Sequence, residues 1–196
     1  MKKILCFGDS NVYGFNPKNF QRYEENKRWS GILKNALDGY IITEAGCNNR
    51  TCFSNKEKNL NSFEAIDKYL LDNYDIVILA IGINDLQYKF NTDTKELEEK
   101  LIKLIGKINS NVILLCPNKI DECILNSYFS ELFNKTSVEK SKNLREIYSA
   151  VAKQTNSKII YLEDIAKTST IDGLHYMPEE HEKIANALIK FINNNF

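Results

Sequence analysis

The sequence predicts an α/β fold in which helices cover both faces of a five-stranded parallel sheet, a three-layer sandwich. Short apolar runs alternate along the chain with segments whose apolar residues recur at helical spacing, so strands and helices follow one another in turn. The clearest run, 75–81, is apolar on both faces, which is typical of a central parallel strand. Five strands joined by right-handed crossovers predict the flavodoxin-like order 2-1-3-4-5.

The predicted strands are short apolar segments that end at turn residues. The first ends at Gly8-Asp9, the third runs into Gly82, and the fourth stops at Pro117. The five predicted strands are 4–7, 40–43, 75–81, 112–116 and 159–162.

The predicted helices follow the 3.6-residue period between these strands. A helix beginning near Asp93 has Glu96 three residues later, which is typical of a capped start, and Pro178 is well placed as a first helical residue. The remaining helices are expected over 29–37, from Asn61 or Ser62 through Tyr74, around 144–152, and from 178 to about 193. We expect 11–28 to be a long polar loop and 118–136 to hold a short helix over the crevice.

Length and charge exclude several classes of protein. The chain has 196 residues, enough for one domain, which we place at 1–196. The 26 basic residues balance 26 acidic ones, so no basic surplus favours a nucleic-acid partner. No apolar run reaches membrane-spanning length, and we expect no membrane insertion. Gly8-Asp9 interrupts the N-terminal apolar run before it reaches the length of a signal-peptide core, which predicts a cytoplasmic protein.

Cofactor and metal motifs are missing from the sequence. The five cysteines form no CxxC pair, and their odd number argues against a disulfide framework and against a zinc site. The stretch 8–14 has neither the G-x-G-x-x-G spacing nor the P-loop pattern, so a flavodoxin-like nucleotide binder is disfavoured. It is also not the G-x-S-x-G elbow of α/β-hydrolases. We therefore predict no cofactor and no metal.

Three polar positions follow successive strands and are expected at one edge of the sheet. Ser10 follows the first strand, Gly46 the second and Asn84 the third. In the order 2-1-3 these strands are neighbours, and ligands of open α/β sheets bind at their carboxyl ends. A serine flanked by a backbone N–H and a carboxamide is the layout that stabilises an oxyanion. This pattern identifies Ser10 as a candidate nucleophile.

The matching acid and base come from the far end of the chain. Asp172 and His175 lie three residues apart on one loop, so a single turn can direct the carboxylate at the imidazole. His181 is the only other histidine, and its position inside the last helix favours a solvated or a packing role. Taken singly, each position has an ordinary explanation, with Ser10 or Asn84 as a helix cap and His175 as a surface residue. Their occurrence at successive strand ends favours the catalytic interpretation.

These residues resemble the SGNH, or GDSL-type, hydrolases. Gly8-Asp9-Ser10-Asn11 is similar to the first block of that family, Gly46 to the glycine of the second, 82–85 to the third, and 172–175 to the final D-x-x-H block. The four blocks occur in order and span most of the chain.

The resemblance implies the SGNH hydrolase fold and a serine carboxylic-ester hydrolase without a cofactor. It implies that Ser10, Asp172 and His175 are catalytic. It also implies an oxyanion hole made by the N–H groups of Ser10 and Gly46 and by the side chain of Asn84.

Finer features are similar to the arylesterase and acyltransferase branch of that family, namely Pro17, Arg28-Trp29, 48–51, Asp85-Leu86 and His181. That branch has Asn-Gly-Arg where this chain has Asn48-Asn49-Arg50. Because asparagine tolerates left-handed backbone, we expect the turn to be kept. The branch also implies self-association into a homo-oligomer. We place Asp9, Asn11, Arg50 and Asp85 as supporting or substrate-pocket residues.

The expected substrate is a small ester. The aromatic loop 13–23 and the apolar stretch 124–133 are predicted to wall the acyl and alcohol pockets. Since no long apolar channel is evident, short acyl groups are favoured, such as acetyl esters of sugars or aryl alcohols. Two alternatives stay open, a lysophospholipase or thioesterase acting on longer acyl groups and a non-catalytic binding module that retains the fold.

Overall fold

A computed structural model describes residues 1–196 and contains one parallel sheet in the order β2-β1-β3-β4-β5. The predicted fold class and strand order are confirmed. The strands are β1 (Lys2–Gly8), β2 (Tyr40–Gly46), β3 (Ile76–Ala80), β4 (Asn111–Cys116) and β5 (Lys158–Tyr161).

The register of the three central strands sets the position of the site. Gly8 at the end of β1 pairs with Gly46 on one side and with Ala80 on the other. The carboxyl ends of β2, β1 and β3 are therefore level. The residues that follow these strands emerge side by side at one edge of the sheet.

Eight helices surround the sheet. They are α1 (Ser10–Tyr13), α2 (Trp29–Ala36), α3 (Ser62–Ala65), α4 (Asp67–Leu70), α5 (Thr94–Ile105), α6 (Lys135–Ser141), α7 (Leu144–Thr155) and α8 (Pro178–Asn195). None of them is both long and apolar enough to cross a membrane.

Two apolar cores lie on opposite faces of the sheet because side chains alternate along a strand. Leu5 and Phe7 of β1 belong to the core shared with α5 and α7, whereas Ile4 and Cys6 belong to the core shared with α2 and α8. The first core contains 30 buried residues and the second 18. Both faces of β1 and β3 are thus covered, as their apolar sequences predict.

Helix α5 shows how the sequence builds these layers. The side chain of Asp93 accepts a hydrogen bond from the Lys95 N–H (2.7 Å) and caps the helix at the predicted position. Leu97, Leu101 and Leu104 are completely buried, and each contributes about 1.5–3 kcal/mol to stability. This apolar face packs α5 against α7 and the sheet.

The helix predicted after Asn61 is wrong in its length. Asn61 caps α3 as expected, but α3 and α4 are single turns that meet at Ile66. The Asp72 N–H donates to the carbonyl of Tyr69, three residues earlier, so the chain tightens at the end of α4 and the helix stops before Tyr74.

Two segments differ from their predicted structure, the loop expected at 11–28 and the single short helix expected within 118–136. Helix α1 begins at Ser10 and extends into the predicted loop 11–28; Asp9 caps its start, and Gly14, at φ 81°, ends it. Between 118 and 136 the chain forms two 3₁₀ turns, Glu122–Asn126 and Tyr128–Glu131. Each begins with a side-chain cap, and both are too short to show a helical repeat.

Candidate active site

A cavity of about 170 Å³ opens at the carboxyl edge of the sheet. Residues from α1, from the loops after β2 and β3, from the 3₁₀ turns and from the loop before α8 line it. They are Ser10, Phe15, Phe20, Asn48, Asn49, Asn84, Tyr128, Phe129, Phe133, Leu174 and His175. A larger groove of about 690 Å³ lies at the opposite end of the sheet and contains none of the predicted site residues.

At the base of this cavity the structure brings the two ends of the chain together. The Oγ of Ser10 lies 2.8 Å from Nε2 of His175, and Nδ1 of the same ring lies 2.6 Å from Oδ2 of Asp172. All three side chains are buried. The hydroxyl, the imidazole and the carboxylate therefore form one continuous hydrogen-bonded series.

The loop that carries the carboxylate and the imidazole is held by Asp172 itself. Its Oδ1 accepts the N–H groups of Leu174 and His175, both at 3.0 Å. Gly173 takes the left-handed conformation with φ 67°, and a Cβ there would lie 2.8 Å from the carbonyl oxygen of Asp121. The glycine is required by both the turn and the close approach.

The environment keeps the carboxyl of Asp172 ionised. Burial alone would raise its pKa, but hydrogen bonds from the His175 ring and from two backbone N–H groups outweigh burial and hold the pKa below its ordinary value. A carboxylate that accepts the Nδ1–H leaves Nε2 as the basic nitrogen, and Nε2 faces Ser10.

Ser10 is the first residue of α1 and is only 6% exposed. Asp9 caps the helix by accepting the Asn11 N–H at 2.9 Å. Gly46 lies directly beneath, and a Cβ at this position would lie 2.1 Å from the backbone nitrogen of Tyr13. The absence of a side chain at Gly46 thus lets α1 sit on the end of β2.

Asn84 lies across the cavity from this helix, on the turn after β3. Its Nδ2 donates to the carbonyl of Arg50 (3.0 Å), and its Oδ1 accepts from Nε2 of Gln87 (3.2 Å). The carboxamide is buried and fixed at both ends, which leaves its second N–H for a ligand. Sequence reasoning missed Gln87, whose signal was its position three residues after Asn84.

A family model described as GDSL-like lipase/acylhydrolase matches residues 4–188. The chain belongs to this family. It is therefore an esterase of the SGNH type, as the four sequence blocks predicted.

Solved structures resemble the acylhydrolase over its whole length. Est24, a carbohydrate acetylesterase from Sinorhizobium meliloti, is 25% identical, with 100% of each chain covered and a TM-score of 0.91. An inhibitor-bound M. smegmatis aryl esterase is 21% identical, also with 100% of each chain covered and a TM-score of 0.91. A second Sinorhizobium meliloti protein, a carbohydrate acetylesterase family member, is 22% identical, with coverage of 98% and 97% and a TM-score of 0.88. A comparison with curated protein sequences gave no significant match.

The loop after β2 in this acylhydrolase keeps the turn predicted for it. Asn49 has φ 61°, in the left-handed region, where the related branch has glycine. Asn49 lines the cavity, and its backbone N–H makes no hydrogen bond within the protein. Gly46, in contrast, packs against α1 and does not line the cavity. Sequence reasoning did not single out the Asn49 N–H.

The four predicted supporting or pocket residues, Asp9, Asn11, Arg50 and Asp85, are all buried, and none lines the cavity. Since none of them lines the cavity, they lie in supporting positions, and a direct contact with substrate stays a prediction. The guanidinium of Arg50 lies 4.4 Å from the ring of Phe7 and donates to the carbonyl oxygens of Gly8 (2.9 Å) and Ala45. The guanidinium therefore lies beneath the site, where it links the ends of β1 and β2.

The two buried carboxyl groups hold backbone in place. Asp85 accepts four hydrogen bonds of 2.6–3.1 Å, from the N–H groups of Cys52, Phe53 and Ser54 and from the Ser54 hydroxyl. It ties the loop after β2 to the turn that carries Asn84. Burial raises the pKa of Asp85, and it raises that of Asp9 to about 6.

Aromatic side chains form the opposite wall of the cavity. The rings of Phe15 and Phe129 lie 4.5 and 5.2 Å from the ring of His175. At the mouth, the exposed rings of Phe20 and Tyr128 meet edge to face at 5.2 Å. The predicted contributions of 13–23 and 124–133 to the pocket walls are thus present in the structure.

His181 occupies a separate buried place beside α2. Burial lowers its pKa to about 3, so the ring is neutral at ordinary pH. Its Nδ1 accepts the Trp29 N–H at 3.4 Å, and Nε2 is buried without a partner. The ring packs edge to face against Tyr23 and Tyr176, which agrees with the predicted packing role. No cluster of three or more His, Cys, Asp or Glu side chains is arranged to hold a metal ion.

Proposed function

We propose that the protein is a serine carboxylic-ester hydrolase that acts through an acyl-enzyme on small esters with short acyl groups. The observation that carries the proposal is the hydrogen-bonded series from the hydroxyl of Ser10 through the ring of His175 to the carboxylate of Asp172. The series lies at the base of a cavity that a small ester can enter.

In the proposed mechanism Ser10 is the nucleophile and His175 the general base. Nε2 takes the hydroxyl proton as Oγ attacks the ester carbonyl, and the same proton passes to the departing alcohol as the acyl-enzyme forms. A water molecule, activated by the imidazole in the same way, then releases the carboxylic acid and restores the serine. Asp172 holds the ring and stabilises its charged form.

The negative charge of the tetrahedral intermediate needs donors aimed at one point. We assign the Ser10 N–H and the second N–H of the Asn84 carboxamide to this role. The Gly46 N–H stays a prediction for the third donor. The same loop offers a second candidate, the Asn49 N–H, which is free and lies at the cavity.

Replacement of Asn84 by alanine is expected to lower kcat by about 10²–10³-fold, or roughly 3–4 kcal/mol of transition-state stabilisation. KM should change little, because the charge that Asn84 meets develops only in the transition state. Steady-state kinetics on 4-nitrophenyl acetate measure both constants. Asn195→Ala, which removes a carboxamide at the exposed end of α8, is the control. A kcat equal to that of the wild type would exclude Asn84 from the oxyanion hole.

The size of the cavity supports short acyl groups. A cavity of about 150 Å³ holds one benzene molecule, so about 170 Å³ suits an acetyl group and part of a ring and is far too small for a palmitoyl chain. Both aromatic rings and carboxamides line this space, which suits aryl alcohols or sugars as leaving groups. The similar structures described as a carbohydrate acetylesterase and an aryl esterase agree with this choice.

A series of 4-nitrophenyl esters from acetate to palmitate, run beside acetylated sugars, tests the proposal. We expect kcat/KM to be highest for acetate and to fall by more than about tenfold at octanoate, because the longer chain cannot be buried. A rate that increases with chain length would favour the lysophospholipase or thioesterase alternative. No turnover together with no fluorophosphonate labelling of the wild type would favour a non-catalytic binding module.

A further inference from the structure

Asn11 is a buried carboxamide directly after the proposed nucleophile. The family description spells Gly-Asp-Ser-Leu, and Asn11 stands where that run has leucine. Its backbone groups are both bonded, since its N–H donates to Asp9 and its carbonyl accepts the Trp29 indole N–H at 3.0 Å. Neither of these bonds requires an asparagine side chain.

The side chain of Asn11 reaches the other half of the site. Its Nδ2 donates to the carbonyl oxygen of Leu174 at 3.3 Å. That carbonyl and the N–H of His175 belong to the same peptide group, and the N–H donates to Oδ1 of Asp172 at 3.0 Å. The peptide group that precedes the imidazole is therefore held at one end by Asp172 and at the other by Asn11.

This contact joins α1 to the loop of Asp172 and His175 independently of the reacting atoms. The other hydrogen bond between these segments is the one from Ser10 to His175, which must change during each catalytic cycle. The Asn11–Leu174 bond involves no group that reacts, so it can fix the distance between the two segments while protons move.

The Asn11 carboxamide does not optimise the stability of the folded protein. Its Oδ1 is buried without a hydrogen-bond partner, and a buried unsatisfied acceptor destabilises the folded state. An apolar side chain of similar size, such as the leucine in the family description, would not carry this cost. The residue is thus better explained by what its amide holds.

We propose that Asn11 is a positioning residue that fixes the Leu174–His175 peptide group, so that Nε2 of His175 stays within hydrogen-bond reach of Ser10. The inference depends on the proposed function, because it gives Asn11 a role only through the proposed base. It extends that function by naming the contact that keeps the nucleophile and the base in register.

The test is the pair Asn11→Leu and Asn11→Ala, with Asn111→Leu as the matched control. Asn111 also donates its amide to a backbone carbonyl, that of Asp75 at 3.1 Å, but at the far end of the sheet. With 4-nitrophenyl acetate we expect both Asn11 variants to lose about 10- to 100-fold in kcat, since a displacement of about 1 Å costs up to about 100-fold. KM should stay within about twofold, and the control should match the wild type.

Urea unfolding and the rate of fluorophosphonate labelling complete the experiment. A positioning role predicts slower labelling of both variants and no decrease in the unfolding midpoint of Asn11→Leu. A kcat within twofold of the wild type in either folded variant would overturn the proposal. The final extent of labelling counts the folded molecules in each sample. If the activity per folded molecule equalled that of the wild type, the proposal would also be overturned.

If Asn11→Leu does not fold, Asn11→Ala alone tests the proposal, because alanine removes the amide without adding bulk. Fluorophosphonate labelling of the wild type and of Ser10→Ala distinguishes a failure of the positioning role of Asn11 from a failure of the proposed function. Full activity in the Asn11 variants with Ser10-dependent labelling would reject only the positioning role. Labelling that persists in Ser10→Ala would reject the proposed function itself.

Discussion

Replacement of Ser10 by alanine is expected to abolish ester hydrolysis and covalent labelling by a fluorophosphonate probe. We expect kcat to fall by about 10⁶-fold, as it does when a serine hydrolase loses its nucleophile. The Ser10 hydroxyl is the one that hydrogen-bonds the imidazole of His175, so the variant has no alcohol in place to form the acyl-enzyme. Turnover of 4-nitrophenyl acetate and in-gel detection of the probe give the two measurements.

The variant should remain folded because the side chain of Asp9, and not that of Ser10, caps α1. Ser110→Ala is the control, since it deletes a serine hydroxyl that donates to the Tyr74 carbonyl at the other end of the sheet. If Ser10→Ala were still labelled at the wild-type rate, another residue would be the nucleophile and the mechanism would fail.

Conversion of Asp172 to asparagine is expected to lower kcat by about 10⁴-fold with little change in KM. The new side-chain oxygen can still accept the N–H groups of Leu174 and His175, so the loop should keep its shape. Its NH₂ group, however, would face Nδ1 and force the proton onto Nε2. An imidazole that already carries a proton toward Ser10 cannot accept the hydroxyl proton.

The exposed Asp164, which pairs with Arg145, supplies the control as Asp164→Asn. Circular dichroism and the urea midpoint show whether the loop variant is folded before its kinetics are compared. An unchanged kcat in folded Asp172→Asn would mean that the carboxylate acts only as a turn residue.

The sequence predicted the parts of this fold whose signal is local. β1 and β3 are apolar on both faces, and α5 has both a capping aspartate and a complete apolar stripe, so each could be assigned from a short window. The one-turn helices α1, α3 and α4 span four residues each, less than two helical repeats. Their boundaries depend on tertiary contacts and could not be read from periodicity.

The same distinction applies to the site. Ser10 and Asn84 could be proposed because they lie shortly after strand ends, and Asp172 and His175 because they share a short loop. The buried direction of Arg50 could not be predicted, since it depends on carbonyl oxygens from two strands that meet only in the folded protein. The two segments that wall the cavity were predicted from their aromatic and apolar residues, but the contact between Phe15 and Phe129 could not be, since it joins loops more than a hundred residues apart.

The sequence separation of 165 between Ser10 and His175 has a consequence for biosynthesis. At about 5–20 residues per second, a ribosome adds the imidazole roughly ten to thirty seconds after the serine. Until then the growing polypeptide has an alcohol and no base, and α2 still lacks its later neighbour α8. Under the proposed mechanism, chains that end before His175 cannot hydrolyse esters, so esterase activity is expected only after synthesis has passed this residue.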